Sequence, residues 1–172
     1  MRRCSVPPLW RNFVFSLYNP LRARVVSPSW ATNFFPYHKG VFQGDPLSPV
    51  IFNMTFAPVV AFIKAANDSP YITHCGVKFG MAAYANDLAI VTRSHQKMQL
   101  ILDKLAPLLL WLGLSFNPKK CVNLTLFRGS VSSHSPAIYV GLVPIPKLQA
   151  GDCFKFLGTQ IPAAGSLLPT FN

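Results

Sequence analysis

The sequence predicts one domain of the α+β class, with antiparallel strands and two main helices packed on one face. Its length of 172 residues allows a single domain with a sizeable core. Two segments, after Pro46 and after Ser94, have apolar residues at helical spacing. Short apolar runs bounded by turn residues lie between and beyond these segments and indicate strands.

Capping residues set the bounds of the two predicted helices. Asp45 is an acceptable N-cap, and the proline after it suits the first helical position. Ser94 caps the second helix, whose apolar stripe from Met98 to Leu112 is interpreted as core. Gly113 is expected to end this helix.

Hairpins account for the rest of the predicted fold. Two apolar runs are separated by Ala85-Asn86-Asp87, which predicts a strand, a tight turn and a second strand. The predicted strands are residues 77–84, 88–91, 114–116, 121–127, 137–142 and 153–157.

Residues 1–39 form a basic and aromatic N-terminal segment. Interleaved cations and aromatic rings can clamp a nucleic-acid backbone while stacking its bases. A plain strand pair, with residues 22–26 and 30–37 as its two strands, is the alternative. The cations are Arg2, Arg3, Arg11, Arg22, Arg24 and Lys39.

The composition is basic and apolar. The chain has 16 Lys and Arg against 5 acids, which gives a formal net charge of +11. Charged residues make up 12% and hydrophobic residues 51%, so disorder driven by charge is excluded. The natural partner is an acidic surface, either nucleic acid or an anionic membrane face. Every acid is an aspartate: Asp45, Asp68, Asp87, Asp103 and Asp152.

Targeting and metal-binding signals are weak. The longest uncharged apolar stretch, from Pro46 to Ile63, is marginal against the about 20 residues that span a bilayer, and we expect no membrane association. The N-terminus lacks a continuous apolar region, which predicts an intracellular protein and leaves nucleus or cytoplasm open. The four cysteines form no CxxC pair, so neither a zinc site nor a disulfide framework is indicated.

One block of sequence carries a strong family resemblance. Residues 40–49, GVFQGDPLSP, closely resemble motif B of reverse transcriptases of non-LTR retrotransposons and of group II intron proteins. An identical run as long as QGDPLSP has a chance probability on the order of 10⁻⁹ at equal residue usage. Residues 83–88, 113–121 and 154–158 resemble motifs C, D and E in the family's order. The resemblance implies a partial polymerase palm over residues 40–158, preceded by the segment 1–39 and followed by a tail, 159–172.

Motif B implies a nucleotide- or template-binding loop. The resemblance assigns this contact to Gln43 and Gly44, together with Tyr84 of motif C. A glycine before a helix N-terminus lets the backbone approach a nucleotide and directs N–H groups at it. A solvent-facing loop amide is the alternative for Gln43. Asp45 resembles the family's structural aspartate, and we expect it to cap the helix and not to bind metal.

Motif C implies a catalytic metal site, with Mg²⁺ as the expected cofactor. Two divalent ions about 3.5–4 Å apart need adjacent carboxylates to bridge them. Here the first of the pair is Asn86, and only Asp87 is a carboxylate. A neutral amide leaves the charge of the metals uncompensated. We therefore expect impaired Mg²⁺ binding and a rate lower by on the order of 10³-fold.

The resemblance places the principal metal-binding aspartate in motif A, upstream of motif B. Residues 1–39 contain no acid. The basic fingers that grip the triphosphate also belong upstream of motif A in the family. The expectation is a truncated palm without polymerase activity on its own.

Motifs D and E imply two further contacts. Lys119 or Lys120 matches the family lysine thought to protonate the leaving pyrophosphate, and solvated turn lysines are the alternative. Phe154, Leu157 and Gly158 match the primer grip, a hairpin against which the primer end rests. Phe154 and Leu157 fit plain strand core equally well.

The leading interpretation is a fragment of a retroelement RNA-directed DNA polymerase. Its expected partners are an RNA or DNA template–primer and, in the family, deoxynucleotides. A non-catalytic nucleic-acid-binding remnant is a second interpretation, and a membrane-associated basic protein is a third. Binding to a nucleic-acid backbone weakens steeply as salt rises, and this separates the first two from the third.

Overall fold

A computed structural model describes most of the chain and confirms the α+β class. Over the residues that it describes, three α-helices and fourteen short strands form, and every pair of these strands is antiparallel. The chain divides into two compact units, residues 1–56 and 57–172, with the division inside the second helix. The structure describes residues 6–37, 40–67, 72–74, 77–132 and 134–164.

The N-terminal unit begins with a helix that the sequence did not predict. Helix α1 spans Pro8–Tyr18, with Pro7 in the N-cap position and no side-chain cap hydrogen bond. A proline in the first turn suits a helix start, because its missing N–H has no partner to lose there. The apolar residues Leu9, Phe13 and Leu17 recur at four-residue steps, as in a helix, although no residue of α1 is buried.

Two nested strand pairs follow α1. Strand β1 (Arg22–Ala23) pairs with β4 (Phe35–Pro36), and they enclose the pair β2 (Val26–Ser27) and β3 (Trp30–Ala31). The predicted strand pair in this segment is confirmed, although the ladder is interrupted. No side chain is buried among residues 6–37 and 40–47, so this part of the chain has no core of its own.

Helix α2 spans Ser48–Ala66 and starts two residues later than predicted. The reason is local, because the Asp45 carboxylate accepts a hydrogen bond from the Leu47 amide at 3.0 Å and turns the backbone before the helix begins. By length and apolar composition alone α2 is able to cross a membrane, a property that core helices of soluble proteins share.

The C-terminal unit contains the second half of α2, helix α3 (His95–Trp111) and five hairpins. The strands that form the hairpins are β5 (Ile72–His74) with β6 (Val77–Phe79), β7 (Met81–Tyr84) with β8 (Asp87–Ile90), β9 (Leu126–Phe127) with β10 (Ser130–Val131), β11 (Tyr139–Val140) with β12 (Val143–Pro144), and β13 (Cys153–Phe156) with β14 (Thr159–Pro162).

Helix α3 confirms both of its predicted ends. The Ser94 hydroxyl accepts a hydrogen bond from the Lys97 amide at 3.2 Å. At the other end Gly113 has a φ of 76°, and its amide and that of Leu114 return to carbonyls of the last turn. This is the Schellman arrangement that glycine favours.

Several predicted strands are wrong or too long. The predicted strand 77–84 divides at Gly80 into β6 and β7, which pair with different partners. No strand forms over 114–116, and only the last two residues of 121–127 form one. The backbone of Asn123 instead bonds to the loop 146–148, with hydrogen bonds of 2.8 and 2.9 Å.

Buried side chains concentrate in the C-terminal unit, where α2, α3 and two loops meet. Each fully buried leucine or isoleucine contributes roughly 1.5–3 kcal/mol relative to an exposed one. The buried apolar residues of this unit are Val59, Ile63, Ile101, Leu102, Leu105, Leu109, Ile138, Leu148 and Ala163.

Candidate functional site

The loop before α2 contains two residues that only glycine suits. Gly40 and Gly44 have φ values of 95° and 89°, in the left-handed region. The space beside Gly44 is open, so its backbone conformation, and not crowding, requires glycine there. Gln43 and Gly44 are both exposed. The loop therefore presents these two predicted site residues to solvent.

The N-terminus of α2 has few free donors. The Leu47 amide donates to the Asp45 carboxylate, and the Ser48 amide donates to the Asp45 carbonyl at 3.1 Å. Pro46 and Pro49 have no N–H to offer. The predicted row of N–H groups directed at a nucleotide is therefore largely occupied or absent.

Aromatic rings support the first half of this loop. The rings of Tyr37 and Phe42 are stacked, with centroids 4.4 Å apart and an interplanar angle of 27°. Tyr18 is the last residue of α1, and its ring is tilted relative to that of Phe42, with the two ring centroids 6.2 Å apart. A Cβ at Gly40 would lie 3.0 Å from the Tyr37 hydroxyl, so Tyr37 leaves little room for a side chain there.

A polar network holds the second half of the loop. The Tyr18 hydroxyl donates to Oδ2 of Asp45 and lies 3.3 Å from the Ser48 hydroxyl. The Ser48 hydroxyl also donates to the same Asp45 oxygen at 3.4 Å. The hydrogen bond from Tyr18, helped by that from the Leu47 amide, lowers the pKa of Asp45 below its ordinary value. The same bond raises the pKa of Tyr18.

The predicted hairpin with Asn86 in its turn is present. Tyr84 at the end of β7 pairs with Asp87 at the start of β8, and Ala85 and Asn86 form the turn between them. Ala85 has a φ of 48°, an uncommon conformation for a residue with a side chain. Tyr84 is 70% exposed, and Asn86 and Asp87 are also exposed. The hairpin thus brings three predicted site residues together at one solvent-facing tip.

A buried amide that the sequence did not identify closes the base of this hairpin. Asn67, directly after α2, donates from Nδ2 to the carbonyl oxygens of Gly80 at 3.2 Å and Val91 at 2.8 Å. These two residues flank β7 and β8, and the Val91 amide donates to the Gly80 carbonyl at 2.9 Å. The sequence feature that could have identified Asn67 is its position as a polar residue directly after an apolar helix.

The side chains at the hairpin tip do not fit a pair of divalent ions. Asp87 is the single carboxylate there, and Asn86 adds a neutral amide. Over the part of the chain that the structure describes, no group of three His, Cys, Asp or Glu side chains is placed to hold a metal ion. Two metal ions need more bridging carboxylate oxygens than this set provides.

The remaining predicted site residues lie on a short 3-10 helix and on the β13–β14 hairpin. Lys119 and Lys120 are exposed on the short 3-10 helix Pro118–Lys120. Phe154 is half-buried in β13, opposite Ile161 of β14. Leu157 and Gly158 form the turn of this hairpin with φ values of 50° and 83°.

Comparisons with known proteins agree on one family. The model of the family described as reverse transcriptase (RNA-dependent DNA polymerase) matches residues 1–161. The Retrovirus-related Pol polyprotein from type-2 retrotransposable element R2DM of Drosophila melanogaster is 27% identical over 175 residues, which covers 96% of this chain and 16% of that protein. Those from type-1 retrotransposable element R2 of Nasonia vitripennis and Popillia japonica are each 26% identical, over 100% and 99% of this chain. The chain spans 17% and 28% of these two relatives.

Proposed function

Because this chain belongs to the reverse transcriptase (RNA-dependent DNA polymerase) family, whose model matches residues 1–161, we propose that it is a template-binding part of an RNA-directed DNA polymerase whose catalysis is impaired when the chain acts alone. The predicted resemblance to retrotransposon reverse transcriptases is confirmed. The chain spans only a part of its curated relatives, so polymerisation and its substrates remain part of the proposal.

The composition of the hairpin tip carries this proposal. Members of the family use divalent metal ions, and we propose Mg²⁺ as the ion here. At the tip, Asp87 is accompanied by the amide of Asn86, which cannot supply a bridging anionic oxygen. The charge stabilisation that two metals provide is worth several kcal/mol, which corresponds to a rate loss on the order of 10³-fold.

We propose that the second carboxylate comes from outside this chain. Residues 1–44 contain no acid, so the motif A aspartate is not among them. Asp45 is upstream of Asp87, but both of its oxygens accept hydrogen bonds from protein donors. Catalysis therefore depends on a carboxylate that a longer protein or another chain brings to the tip.

Non-catalytic binding of nucleic acid is the second candidate function. The described residues 6–37 include Arg11, Arg22 and Arg24 and no acid. Trp30 and Phe34 are exposed in the same segment, and the Arg24 guanidinium lies 5.1 Å from the centre of the Phe34 ring. Exposed rings beside guanidinium groups suit base stacking along a phosphate backbone.

Two measurements test the proposal. A fluorescent RNA–DNA primer–template should bind the chain at low salt, and the affinity should fall as a power of salt concentration. Primer extension with Mg²⁺ or Mn²⁺ should be negligible for the unmodified chain. Substantial extension would overturn the impaired catalysis, and absence of binding at low salt would overturn both candidate functions.

The same extension assay tests the effect of each missing carboxylate, the one at position 86 and the one of motif A. The Asn86→Asp variant alone should remain inactive, and so should the unmodified chain fused to an N-terminal segment with motif A and the fingers. Only the two changes together should approach the family's activity, because the carboxylates act as one ligand set. Asn53→Asp, at an exposed position of α2, is the matched control.

A further inference from the structure

Gln43 and Gly44 are held from both sides by the same side chain. The Tyr18 ring contacts Phe42 on one side of this pair, and the Tyr18 hydroxyl bonds to Asp45 on the other. Tyr18 lies 27 residues before Asp45, at the C-terminal end of α1. A residue of another element therefore spans the two exposed residues of the loop.

The hydroxyl of Tyr18 fixes the orientation of the Asp45 carboxylate. Oδ1 accepts from the Leu47 amide, while Oδ2 accepts from Tyr18 and from Ser48. Because both oxygens accept hydrogen bonds, these bonds fix the orientation of the carboxylate and the backbone turn at residues 45–48. Among the described residues, Tyr18 is the single donor to Asp45 from outside residues 45–48.

We propose that Tyr18 is a positioning residue for the motif B loop, which acts through Phe42 and Asp45 to present Gln43 and Gly44 to a template or nucleotide. The binding part of this inference rests on the proposed function. The positioning part rests on the contacts within residues 18–48 alone.

The variant that isolates the hydroxyl is Tyr18→Phe, because it keeps the ring beside Phe42. The first readout is a titration of the side-chain carboxyl groups by ¹³C NMR, which is simple here because the chain has five aspartates and no glutamate. The groups that face Asp45 are the Tyr18 phenol, the Leu47 amide and the Ser48 hydroxyl. In Tyr18→Phe the pKa of Asp45 should rise towards its ordinary value of 3.8.

Two further variants serve as controls for this titration. Tyr139→Phe removes the hydroxyl of an exposed tyrosine and should leave Asp45 unchanged. Ser48→Ala removes the weaker donor and should change the titration of Asp45 less than Tyr18→Phe does. An unchanged Asp45 titration in Tyr18→Phe overturns the proposal, whatever the binding data show.

The second readout is affinity for an RNA–DNA primer–template. Tyr18→Phe should weaken binding by about 2- to 10-fold, the range expected for one hydrogen bond. The double variant Tyr18→Phe with Gln43→Ala should lose less affinity than the sum of the losses of the two single variants, because part of the effect of Tyr18 is exerted through the position of Gln43. Additive losses would overturn the claim that Tyr18 works by positioning this residue.

The two readouts separate the failure of each idea. If the unmodified chain does not bind the primer–template but Tyr18→Phe shifts the Asp45 titration, the proposed function fails and the positioning role stands. If binding is strong and the titration does not move, the proposed function stands and the positioning role fails.

Discussion

The side chain of Gln99 on α3 forms two hydrogen bonds with the backbone of Tyr139 in β11. Its Oε1 accepts from the Tyr139 amide at 2.9 Å, and its Nε2 donates to the Tyr139 carbonyl at 3.0 Å. The side-chain amide thus takes the place of a neighbouring strand and joins the β11–β12 hairpin to α3, which contributes more of the described buried apolar residues than any other element.

Replacing Gln99 with alanine should lower the free energy of unfolding of the C-terminal unit by about 1–2 kcal/mol, because three exposed hydrogen bonds are lost, two with Tyr139 and one with Asp103. Urea unfolding followed by circular dichroism measures the change. Gln96→Ala, at an exposed position of the same helix, is the control and should change stability by less than about 0.5 kcal/mol. Equal effects of the two variants would show that Gln99 contributes only through helix propensity.

Asn67→Ala should be more damaging than Gln99→Ala, because Asn67 is only 9% exposed and its loss leaves the Val91 carbonyl without its donor, whereas the Gly80 carbonyl keeps the Val91 amide. The expected loss is about 1–3 kcal/mol. Hydrogen exchange should show faster exchange at the amides of β7 and β8, next to Asn86 and Asp87. Asn53→Ala on the exposed side of α2 should leave these amides unchanged, and protection retained in Asn67→Ala would contradict the role given to this side chain.

The stability of the loop 40–48 should decrease both at low pH and at high pH. The pKa of Asp45 is lower in the folded chain, so its contribution to stability is present above its ordinary value of 3.8 and is lost as pH falls through the lowered value. The pKa of Tyr18 is higher in the folded chain, so its contribution is present below 10.0 and is lost as pH rises through the raised value. Exchange rates of the Leu47 and Ser48 amides, corrected for intrinsic exchange, should be lowest between these limits. If the exchange rates of these two amides have the same minimum in Tyr18→Phe, the hydrogen bond between Tyr18 and Asp45 is not its cause.

The turn of the β13–β14 hairpin should be stabilised by Leu157→Asn. Leu157 and Gly158 both have positive φ, as in a type I′ turn, where Asn-Gly is the favoured pair. Removing leucine from a left-handed conformation should stabilise the hairpin by up to about 1 kcal/mol, measured by thermal unfolding. Leu142→Asn is the matched control, since Leu142 is 97% exposed in a turn and does not have positive φ.

The N-terminal unit should unfold before the C-terminal unit and without a sharp transition. No side chain is buried over residues 6–37 and 40–47, and several large apolar side chains are exposed there, Trp10 and Phe15 among them. Burial of apolar surface is the main favourable term in folding, and this segment has little of it. Tryptophan fluorescence of a Trp111→Phe variant, which retains Trp10 and Trp30, reports on this unit. One cooperative transition shared by both units would contradict the expectation.

The parts of the fold that the sequence predicted are those with local causes. Ser94 and Gly113 determine the ends of α3 through their own hydrogen bonds and φ values, so their residue types were sufficient. The turn at Ala85 and Asn86 is likewise defined by the residues in it and beside it. The α1 helix has no capping side chain and buries no residue, and the helical spacing of Leu9, Phe13 and Leu17 was its one local signal.

The parts that could not be predicted depend on contacts between distant residues. Residues 121–127 have strand-forming side chains, but the backbone of Asn123 bonds to a loop more than twenty residues later, which no local pattern reveals. The same is true of Asn67 with Val91 and of Tyr18 with Asp45. At the candidate site, the family motifs selected the residues to which we propose a function, whereas the residues that hold them in place emerged only from the structure.

The strand pairs also determine the order in which this chain can fold. Within the described residues, six of the seven ladders join consecutive strands, and the seventh, β1 with β4, merely encloses one of them. Such short-range pairs require little loop closure and form in about 1–10 μs. Each hairpin is therefore able to form as it leaves the ribosome, before the next is synthesised. The buried core of the C-terminal unit includes Ile138, Leu148 and Ala163 as well as residues of α2 and α3, so its packing is completed only after the last of these residues has been synthesised.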